Sequence, residues 1–511
     1  MLVLVAAVLI VVIYFYYKNA FAYWERRGVP TLQPSFPFGN MFRVVVRMES
    51  VNDKVCEIYN KMKSAGYKYA GIYFFSRKVF LAIDPQLIKC ILGKDFRHFN
   101  DRGIYYDEEN DPVSAHLFSL SGPKWKTLRS KLTPAFTAGK TKYMFDAIKS
   151  CGDDMVQLLE NLMKLDEDIE IKDILARFTT DVIGSCAFGI ECNSLTNPNA
   201  EFREMGRRAF TQTPGDVFKM VIIRSFPKLA KLLKLGVFSP RVSRFFQQVV
   251  EDTVNFREQN NVTRPDFLQL LIQMRGDASL NNLHNDGNNH ADETCGDGLT
   301  MNEIAAQAFI FFLAGFETTS TTISFALLEM ALNPSIQERA RSELADVLNK
   351  HENKLTYDAV GELQFLETVV LESLRKYPPA PVFLRKCTER YQVPGTNVYV
   401  EKGLSALIPA MALHRDPDFY ENPECFDPER FNEANRHKIK EHVFLPFGDG
   451  PRICIGMRFA MVQSKLALAQ FLQHYCFTLS EKTQLPLKME TKGIVLTPIG
   501  GIWLKFPKSS L

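Results

Sequence analysis

The hydrophobic pattern changes along the chain, from a continuous apolar run at the N-terminus to helical periodicity in the middle and alternation near both ends. Residues 2–17 are all apolar or aromatic. Alternating segments around 69–83, 393–400 and 476–505 predict strands, whereas most of 85–376 shows helical periodicity. We therefore predict an α+β fold that is mainly α-helical, with small β-sheets at both ends.

The N-terminal run predicts a membrane anchor over residues 1–24. As a helix, residues 2–17 would be about 24 Å long, against a hydrocarbon core of about 30 Å. Aromatic residues up to Trp24 would extend its apolar and interfacial surface. A cleaved signal peptide is the alternative, because Ala20-Phe21-Ala22 resembles a small-x-small cleavage site. Positive charges follow the run rather than precede it, which predicts that the rest of the chain is cytosolic.

The remainder of the chain is predicted to form one large domain. Prolines at 30, 34 and 37 predict a stiff hinge over residues 25–40, and no low-complexity linker divides 41–511 into comparable halves. Residues 276–298 are rich in Asn, Asp and Gly and predict a surface loop. A solvated loop therefore explains its two histidines, His284 and His290, better than a metal site does.

Charge and cysteine content exclude several classes of protein. The formal net charge of +3 lacks the strongly basic balance of a nucleic-acid-binding protein. The ten cysteines are scattered without a C-x-x-C pair, which predicts free thiols in a reducing compartment and no zinc site of that kind. Cys454 is distinct among them, because glycines and an arginine surround it.

The segment F-G-D-G-P-R-I-C-I-G, residues 447–456, places Cys454 in a loop with three glycines. Glycine lets a backbone turn sharply and approach a flat ligand closely, and Arg452 puts a positive charge two residues before the sulfur. Such a setting stabilises a thiolate. The alternative is that Cys454 is a small buried hydrophobe.

A long helix is predicted from Thr300 to about Asn333, and its centre reads A-G-F-E-T-T. Gly315 there costs about 1 kcal/mol relative to alanine, and a buried acid at Glu317 costs more unless it has a partner. The hydroxyl of Thr318 can leave the carbonyl four residues earlier and hold a water molecule. Helix packing with a surface glutamate is the alternative.

A third pattern pairs an acid with an arginine three residues later, at Glu372 and Arg375. The same spacing recurs elsewhere in the chain, where we interpret it as ordinary solvated pairs. Here a Tyr-Pro-Pro sequence ends the helix, and Pro-Glu-Arg-Phe with Arg430 follows some fifty residues later.

These three patterns, with A-G-F-E-T-T first along the chain and the cysteine loop last, resemble the cytochrome P-450 superfamily of haem-thiolate monooxygenases. The resemblance covers nearly the whole chain and implies that superfamily's mostly helical fold, with haem b held by the Cys454 thiolate. It implies a proton-handling role for Ala314, Gly315, Glu317 and Thr318, and a structural network of Glu372, Arg375 and Arg430. The other cofactor-binding residues that it implies are Trp125, Arg129, Arg385, Phe447, Gly448, Arg452 and Gly456.

The resemblance also implies a reaction and its partners. The enzyme would insert one oxygen atom of O2 into an apolar small molecule, with electrons from NADPH through a reductase and with cytochrome b5 as a further partner. The motif sequences of this chain are similar to those of insect members that oxidise plant toxins and insecticides. An endogenous hormone or lipid is the alternative substrate. The implied substrate contacts are Phe118, Phe210, Phe312, Phe316, Val382, Phe383 and Thr497.

The implied location is the endoplasmic reticulum membrane, with the catalytic domain in the cytosol. Two other classes of haem protein remain as alternatives. A haem-thiolate isomerase would need neither a reductase nor the Glu317–Thr318 pair. A haem sensor or carrier would bind the cofactor without turnover.

Overall fold

The computed structural model describes residues 1–165, 168–210, 214–281, 298–491, 493 and 495–507. They form two compact units. The first unit comprises Met1–Gly103, Leu371–Cys454 and Leu487–Ile499, and the second comprises the described residues of 104–370, 455–486 and 500–507. His284 and His290, on which we predicted no metal site, lie outside the described residues.

Helices dominate both the predicted and the observed structure. The α-helices are α1 Leu2–Phe21, α2 Phe42–Val45, α3 Val51–Ser64, α4 Pro85–Lys89, α5 Gly122–Leu132, α6 Ala138–Met163, α7 Ile171–Ile183, α8 Glu201–Phe210, α9 Pro214–Ser225, α10 Pro227–Leu232, α11 Pro240–Asn260, α12 Phe267–Asn281, α13 Met301–Leu332, α14 Pro334–Lys350, α15 Tyr357–Glu362, α16 Gln364–Lys376, α17 Ala410–His414 and α18 Met457–His474. The strands are β1 Tyr69–Phe74, β2 Arg77–Ala82, β3 Asp168–Glu170, β4 Phe383–Lys386, β5 Tyr391–Gln392, β6 Tyr399–Val400, β7 Ser405–Ile408, β8 Thr478–Leu479 and β9 Trp503–Lys505.

The first unit is built on a sheet of strand order β1-β2-β7-β4. Strands β1 and β2 lie where strands were predicted around 69–83, and they form an antiparallel hairpin with Tyr69 opposite Ala82. Strand β7 runs parallel to β2, and β4 pairs with β7 so that Arg385 lies opposite Ala406. The separate β5–β6 pair matches the strand signal of 393–400 only in part, since its strands begin at Tyr391 and end at Val400.

The second unit is organised around α13, which is buried along most of its length and packs against α7, α11 and α18. Thr300 and Glu303 form a capping box at its start: the Glu303 backbone N–H donates to Thr300 Oγ1 (3.2 Å), and the Thr300 N–H donates to Glu303 Oε2 (2.8 Å). Asn333 caps its end. The long helix predicted from Thr300 to Asn333 is therefore confirmed.

The strand signal predicted for 476–505 covers more residues than the strands that form there. Within 476–505, only β8 and β9 are strands among the described residues, and β9 lies between β3 and β8. Met489 and Pro498 form an isolated bridge in the first unit. Residues 276–281, predicted as the start of a loop, instead continue α12.

Helix α1 exposes apolar side chains over most of its length, and it is long and apolar enough to cross a membrane. The predicted interfacial role of Trp24 was wrong, because this side chain is fully buried in the core of the first unit. Helix α13 passes the same length and hydropathy test, but most of it is buried inside the protein.

Candidate active site

The cysteine loop of the first unit is closed by backbone hydrogen bonds. The Cys454 N–H donates to the Phe447 carbonyl (2.9 Å), and the Ile453 N–H donates to the Gly450 carbonyl (2.9 Å). Gly448 and Gly450 both have positive φ, of 75° and 70°, which disfavours any side chain there. Cys454 itself is exposed. It is therefore not the buried hydrophobe of the alternative interpretation.

The segment before residue 103 supports this loop from one side. A Cβ atom on Gly450 would lie 1.9 Å from the Leu92 carbonyl oxygen, so this glycine is required by packing against that backbone. Arg452 Nε donates to the Asn100 carbonyl (2.7 Å), and Arg102 Nη2 donates to the Arg452 carbonyl (3.1 Å). Nothing in the sequence indicated these partners, which lie about 350 residues earlier.

Strand β4 supports the loop from another side. Phe383 and Arg385 are two residues apart and share one face of the strand. A Cβ on Gly448 would be 3.6 Å from the Phe383 ring, so this face of β4 borders the cysteine loop. The backbone N–H of Lys386 also donates to the Asp101 carbonyl (2.7 Å), which joins β4 to the segment that holds Arg452.

Arg385 has an unusual environment for a guanidinium. It is 1 % exposed, and burial lowers its pKa to about 10. Among the described residues its hydrogen bonding is limited to the adjacent Leu384 carbonyl (Nη1, 3.0 Å), and its Nε has no partner there. A buried cation requires a counter-charge. Arg385 therefore fits an anionic ligand group such as a haem propionate.

A buried ion-pair network lies behind the loop in the same unit. Arg375 Nε and Nη2 form a bidentate pair with Glu372 (2.6 and 2.8 Å), and neither side chain is exposed. Arg430 Nε lies 3.4 Å from the same carboxylate, and the Asp427 N–H donates to it (2.9 Å). The predicted proximity of Glu372, Arg375 and Arg430 is thus present.

His414 connects this network to the cysteine loop. Arg375 Nη1 donates to the His414 carbonyl (3.0 Å), and His414 Nε2 accepts the Leu445 N–H (2.8 Å). The Leu445 carbonyl in turn accepts the Gly448 N–H (3.2 Å). Burial lowers the pKa of His414 to about 3, so the ring is neutral and able to accept. His414 therefore supports the cysteine loop through this chain of hydrogen bonds.

In the second unit, the centre of α13 opens to solvent. Ala314 is exposed and Thr318, one turn later, is half-buried, whereas Phe312 and Thr319 are buried. Thr318 Oγ1 donates to the Ala314 carbonyl (2.5 Å). These two residues form a short solvent-accessible stretch in the central part of α13, where their neighbours Phe312, Leu313, Phe316 and Thr319 are buried.

Glu317 and Gly315 both face α7 of the same unit. Lys172 Nζ lies 2.9 Å from Glu317 Oε1, and both side chains are largely buried. A Cβ on Gly315 would lie 2.4 Å from Ile183 Cδ1. The close approach of α7 is a packing reason for glycine at this position. The sequence gave no indication of Lys172, which is 145 residues from its partner.

Trp125 and Arg129 are four residues apart on α5 and therefore share one face of that helix. Trp125 is buried and Arg129 is half-buried. Gly456 is the residue before α18, and Phe447 is half-buried at the start of the loop. The donor set of the first unit therefore fits a haem: one exposed cysteine and cationic side chains, including a buried one without a counter-ion among the described residues.

The predicted substrate residues differ in their surroundings. Phe312 is fully buried, its ring packed on Phe202 (4.8 Å between ring centroids) and stacked on Phe316 (5.5 Å). Contact between Phe312 and a substrate stays a prediction, and in this structure the ring is covered by α8. Among the other predicted contacts, Phe118 and Phe210 are exposed and Phe316 is buried like Phe312, while the remaining three are half-buried: Val382, Phe383 and Thr497.

Comparison with known proteins agrees with this donor set. The family model for cytochrome P450 matches residues 30–506. Cytochrome P450 6a2 of Drosophila melanogaster is 41% identical over 500 residues, covering 96% of each chain, and cytochrome P450 6k1 of Blattella germanica is 40% identical over 510 residues, covering 99% of this chain and 97% of its own.

The fold and the donor set define a haem-thiolate oxidoreductase. The chain belongs to the cytochrome P450 family and is a monooxygenase that resembles insect members. The family uses haem bound through a cysteine thiolate, with dioxygen as co-substrate.

Proposed function

We propose that this monooxygenase takes electrons from NADPH through a membrane-bound reductase and inserts one oxygen atom of O2 into apolar small molecules. Buried Arg385, which borders the cysteine loop without a counter-ion among the described residues, is the observation that carries the proposal. Such an arrangement is stable only when an anion completes it. Foreign compounds such as plant toxins or insecticides are the proposed substrates, with an endogenous hormone or lipid as the alternative.

The cysteine loop and three cationic residues would hold the cofactor. Cys454 would ligate the iron, with Phe447, Gly448 and Gly456 framing the ring, while Arg385, Arg452 and Arg129 would pair with its propionates and Trp125 would donate from its indole N–H. Haem bound through a thiolate supplies the electron density that favours cleavage of the O–O bond.

Protons would be handled on α13. Ala314 leaves room beside the helix, and the Thr318 hydroxyl, which donates to the Ala314 carbonyl, can rotate to donate to dioxygen instead. Lys172 fixes the Glu317 carboxylate one residue away. Gly315 keeps α13 against α7, and so fixes the position of Thr318.

The substrate would meet an apolar, aromatic surface. Phe118 and Phe210 are exposed, and the Phe210 ring lies 6.2 Å from that of Phe316. Val382, Phe383 and Thr497 would contribute from the first unit. Phe312, whose ring is stacked on that of Phe316, is a further proposed contact.

The membrane location rests on α1 together with α10. Helix α10 and the residues beside it expose Phe226, Leu229, Leu232 and Leu233, while three lysines alternate with them in the sequence. This composition favours an interfacial membrane contact. We propose an anchor within 1–24, the connecting segment 25–40 and a catalytic domain of 41–511 that faces the cytosol from the endoplasmic reticulum.

The electron donor would dock on α5. Lys124, Lys126 and Lys131 are exposed on this helix, which also carries the proposed haem residues Trp125 and Arg129. Exposed cations attract an acidic flavoprotein and raise its association rate. The reductase and cytochrome b5 are the proposed partners.

The first experiment is the carbon monoxide difference spectrum of the dithionite-reduced protein in detergent. A strongly red-shifted Soret band is expected for thiolate ligation by Cys454. Well-folded protein without haem absorbance would refute the proposal. A band at the position typical of histidine ligation would contradict ligation by Cys454.

The second experiment separates a monooxygenase from an isomerase or a carrier. With reductase present, we expect substrate-dependent NADPH consumption coupled to product. Thr318→Ala should retain the carbonyl spectrum but divert NADPH oxidation to peroxide. Unchanged coupling in Thr318→Ala would contradict the role of the hydroxyl, and product formation without NADPH would favour the isomerase.

A further inference from the structure

The end of α1 is fastened to strand β1 by Trp24. Its backbone N–H donates to Tyr73 Oη (3.2 Å), and its indole Nε1 donates to the Ile72 carbonyl (3.3 Å). Tyr73 Oη donates in turn to the Phe21 carbonyl in the last turn of α1 (2.6 Å). A Cβ on Gly71 would lie 2.2 Å from Trp24 Cγ, so the indole occupies a notch that only glycine leaves open.

The segment after Trp24 continues along the same strand. The Gly71 N–H donates to the Pro30 carbonyl (2.7 Å), and Asn40 exchanges two hydrogen bonds with Tyr73: its N–H donates to the Tyr73 carbonyl (2.8 Å), and its Oδ1 accepts the Tyr73 N–H (2.7 Å). Val29 and Met41 are buried in the core. Residues 25–40, predicted as a hinge, are therefore paired with the sheet at both of their ends.

Beyond this segment, the first unit exposes an apolar patch that is continuous with α1. Its members are large apolar side chains between 36 and 48, namely Phe36, Phe42, Val45, Val46 and Met48. The Phe36 ring contacts Tyr17 of α1 (5.1 Å between centroids). Two exposed arginines, Arg43 and Arg47, lie within the patch. Apolar side chains next to cations suit the boundary between acyl chains and phosphate headgroups.

We propose that residues 24–48 form a rigid bilayer seat, in which buried Trp24 fixes α1 to the first unit and the exposed apolar side chains of 36–48 enter the lipid headgroup region. The inference rests on the proposed role of α1 as a membrane anchor. A bilayer is the occupant because the patch adjoins the exposed apolar surface of that helix. The seat would hold the first unit at a fixed height and angle on the membrane.

Quenching by brominated lipid tests the contact. Full-length Phe42→Trp and Met48→Trp proteins are placed in phosphatidylcholine vesicles with and without brominated acyl chains. The added emission, which is the tryptophan fluorescence of each variant minus that of the wild-type protein, is measured. Tyr67→Trp is the matched control, since Tyr67 is 44% exposed and Phe42 46%, in the same unit. We expect strong loss of the added emission at 42 and 48 and little at 67. Equal quenching at all three sites, or none at 42 and 48, would overturn the bilayer contact.

Trypsin tests the fastening by Trp24. Arg26 and Arg27 follow it directly, and cleavage within a folded segment requires local opening. Trp24→Ala should accelerate cleavage there several-fold and broaden the depth distribution of Met48→Trp. Gly71→Ala, which displaces the indole without removing it, should do the same, whereas Trp24→Phe should change both little. Unchanged cleavage and depth in Trp24→Ala and Gly71→Ala would overturn the rigid seat.

The outcomes distinguish this inference from the proposed function. Wild-type protein that fails to sediment with vesicles would contradict the anchor itself. Sedimentation with unquenched tryptophans at 42 and 48 would contradict only the seat. The carbon monoxide difference spectrum of each variant reports whether the cysteine loop remains folded.

Discussion

Replacing Arg375 tests the link between the buried network and the cysteine loop. Arg375→Ala leaves the Glu372 carboxylate fully buried, with Arg430 Nε at 3.4 Å and the Asp427 N–H at 2.9 Å as neighbouring donors. Removing one partner of a buried ion pair costs about 3–5 kcal/mol. The variant also loses the hydrogen bond to the His414 carbonyl, through which the network reaches Leu445 and the loop.

The assay is chemical denaturation of the purified protein, with carbonyl absorbance as a second signal for the cofactor. We expect Arg375→Ala to lose about 3–5 kcal/mol and to retain little haem, and Arg375→Lys to be intermediate because it keeps the charge without the bidentate fork. The matched control is Glu204→Gln, which removes an exposed pair with Arg208 (2.8 Å) and should cost about 0–1 kcal/mol. A loss in Arg375→Ala no larger than that of the control would refute the reasoning.

Three further variants test other parts of the site. Arg385→Leu removes the buried cation and should weaken haem retention in equilibrium dialysis, while the apoprotein becomes no less stable; equal haem affinity would contradict the pairing with a propionate. Gly315→Ala places a Cβ 2.4 Å from Ile183 Cδ1 and should destabilise the protein by about 1–3 kcal/mol, with partial rescue by Ile183→Val; a neutral effect would mean that α7 moves freely. His414 stays neutral in the folded protein until its pKa of about 3, whereas the unfolded chain binds a proton at about 6.5, so its contribution to stability should be lost as the pH falls from about 6.5 towards 3. Denaturation curves across this range should show a smaller loss for His414→Gln, and an identical loss would contradict the assignment.

Most of the helical fold could be predicted from periodicity and end signals. Thr300 and Glu303 at one end and Asn333-Pro334 at the other fixed the bounds of α13, because caps act locally. Strands β1 and β2 were predicted from the alternation of apolar and polar residues, which is also a local signal. Strands β3, β4 and β7 were missed, since each is three or four residues long and gains its stability from strands distant in the chain.

The residues that could carry chemistry were recognisable in the sequence, but their contact partners in the folded protein were not. Three glycines and an arginine around Cys454 sufficed to indicate a thiolate loop and its family, because such a pattern is rare. That Lys172 pairs with Glu317, that Asn100 holds Arg452 and that Trp24 fills the notch at Gly71 depended on contacts between residues 47 to 352 positions apart. The sequence by itself determines the local conformation and which side chains can bind a ligand. Burial and charge pairing arise only when distant segments pack together.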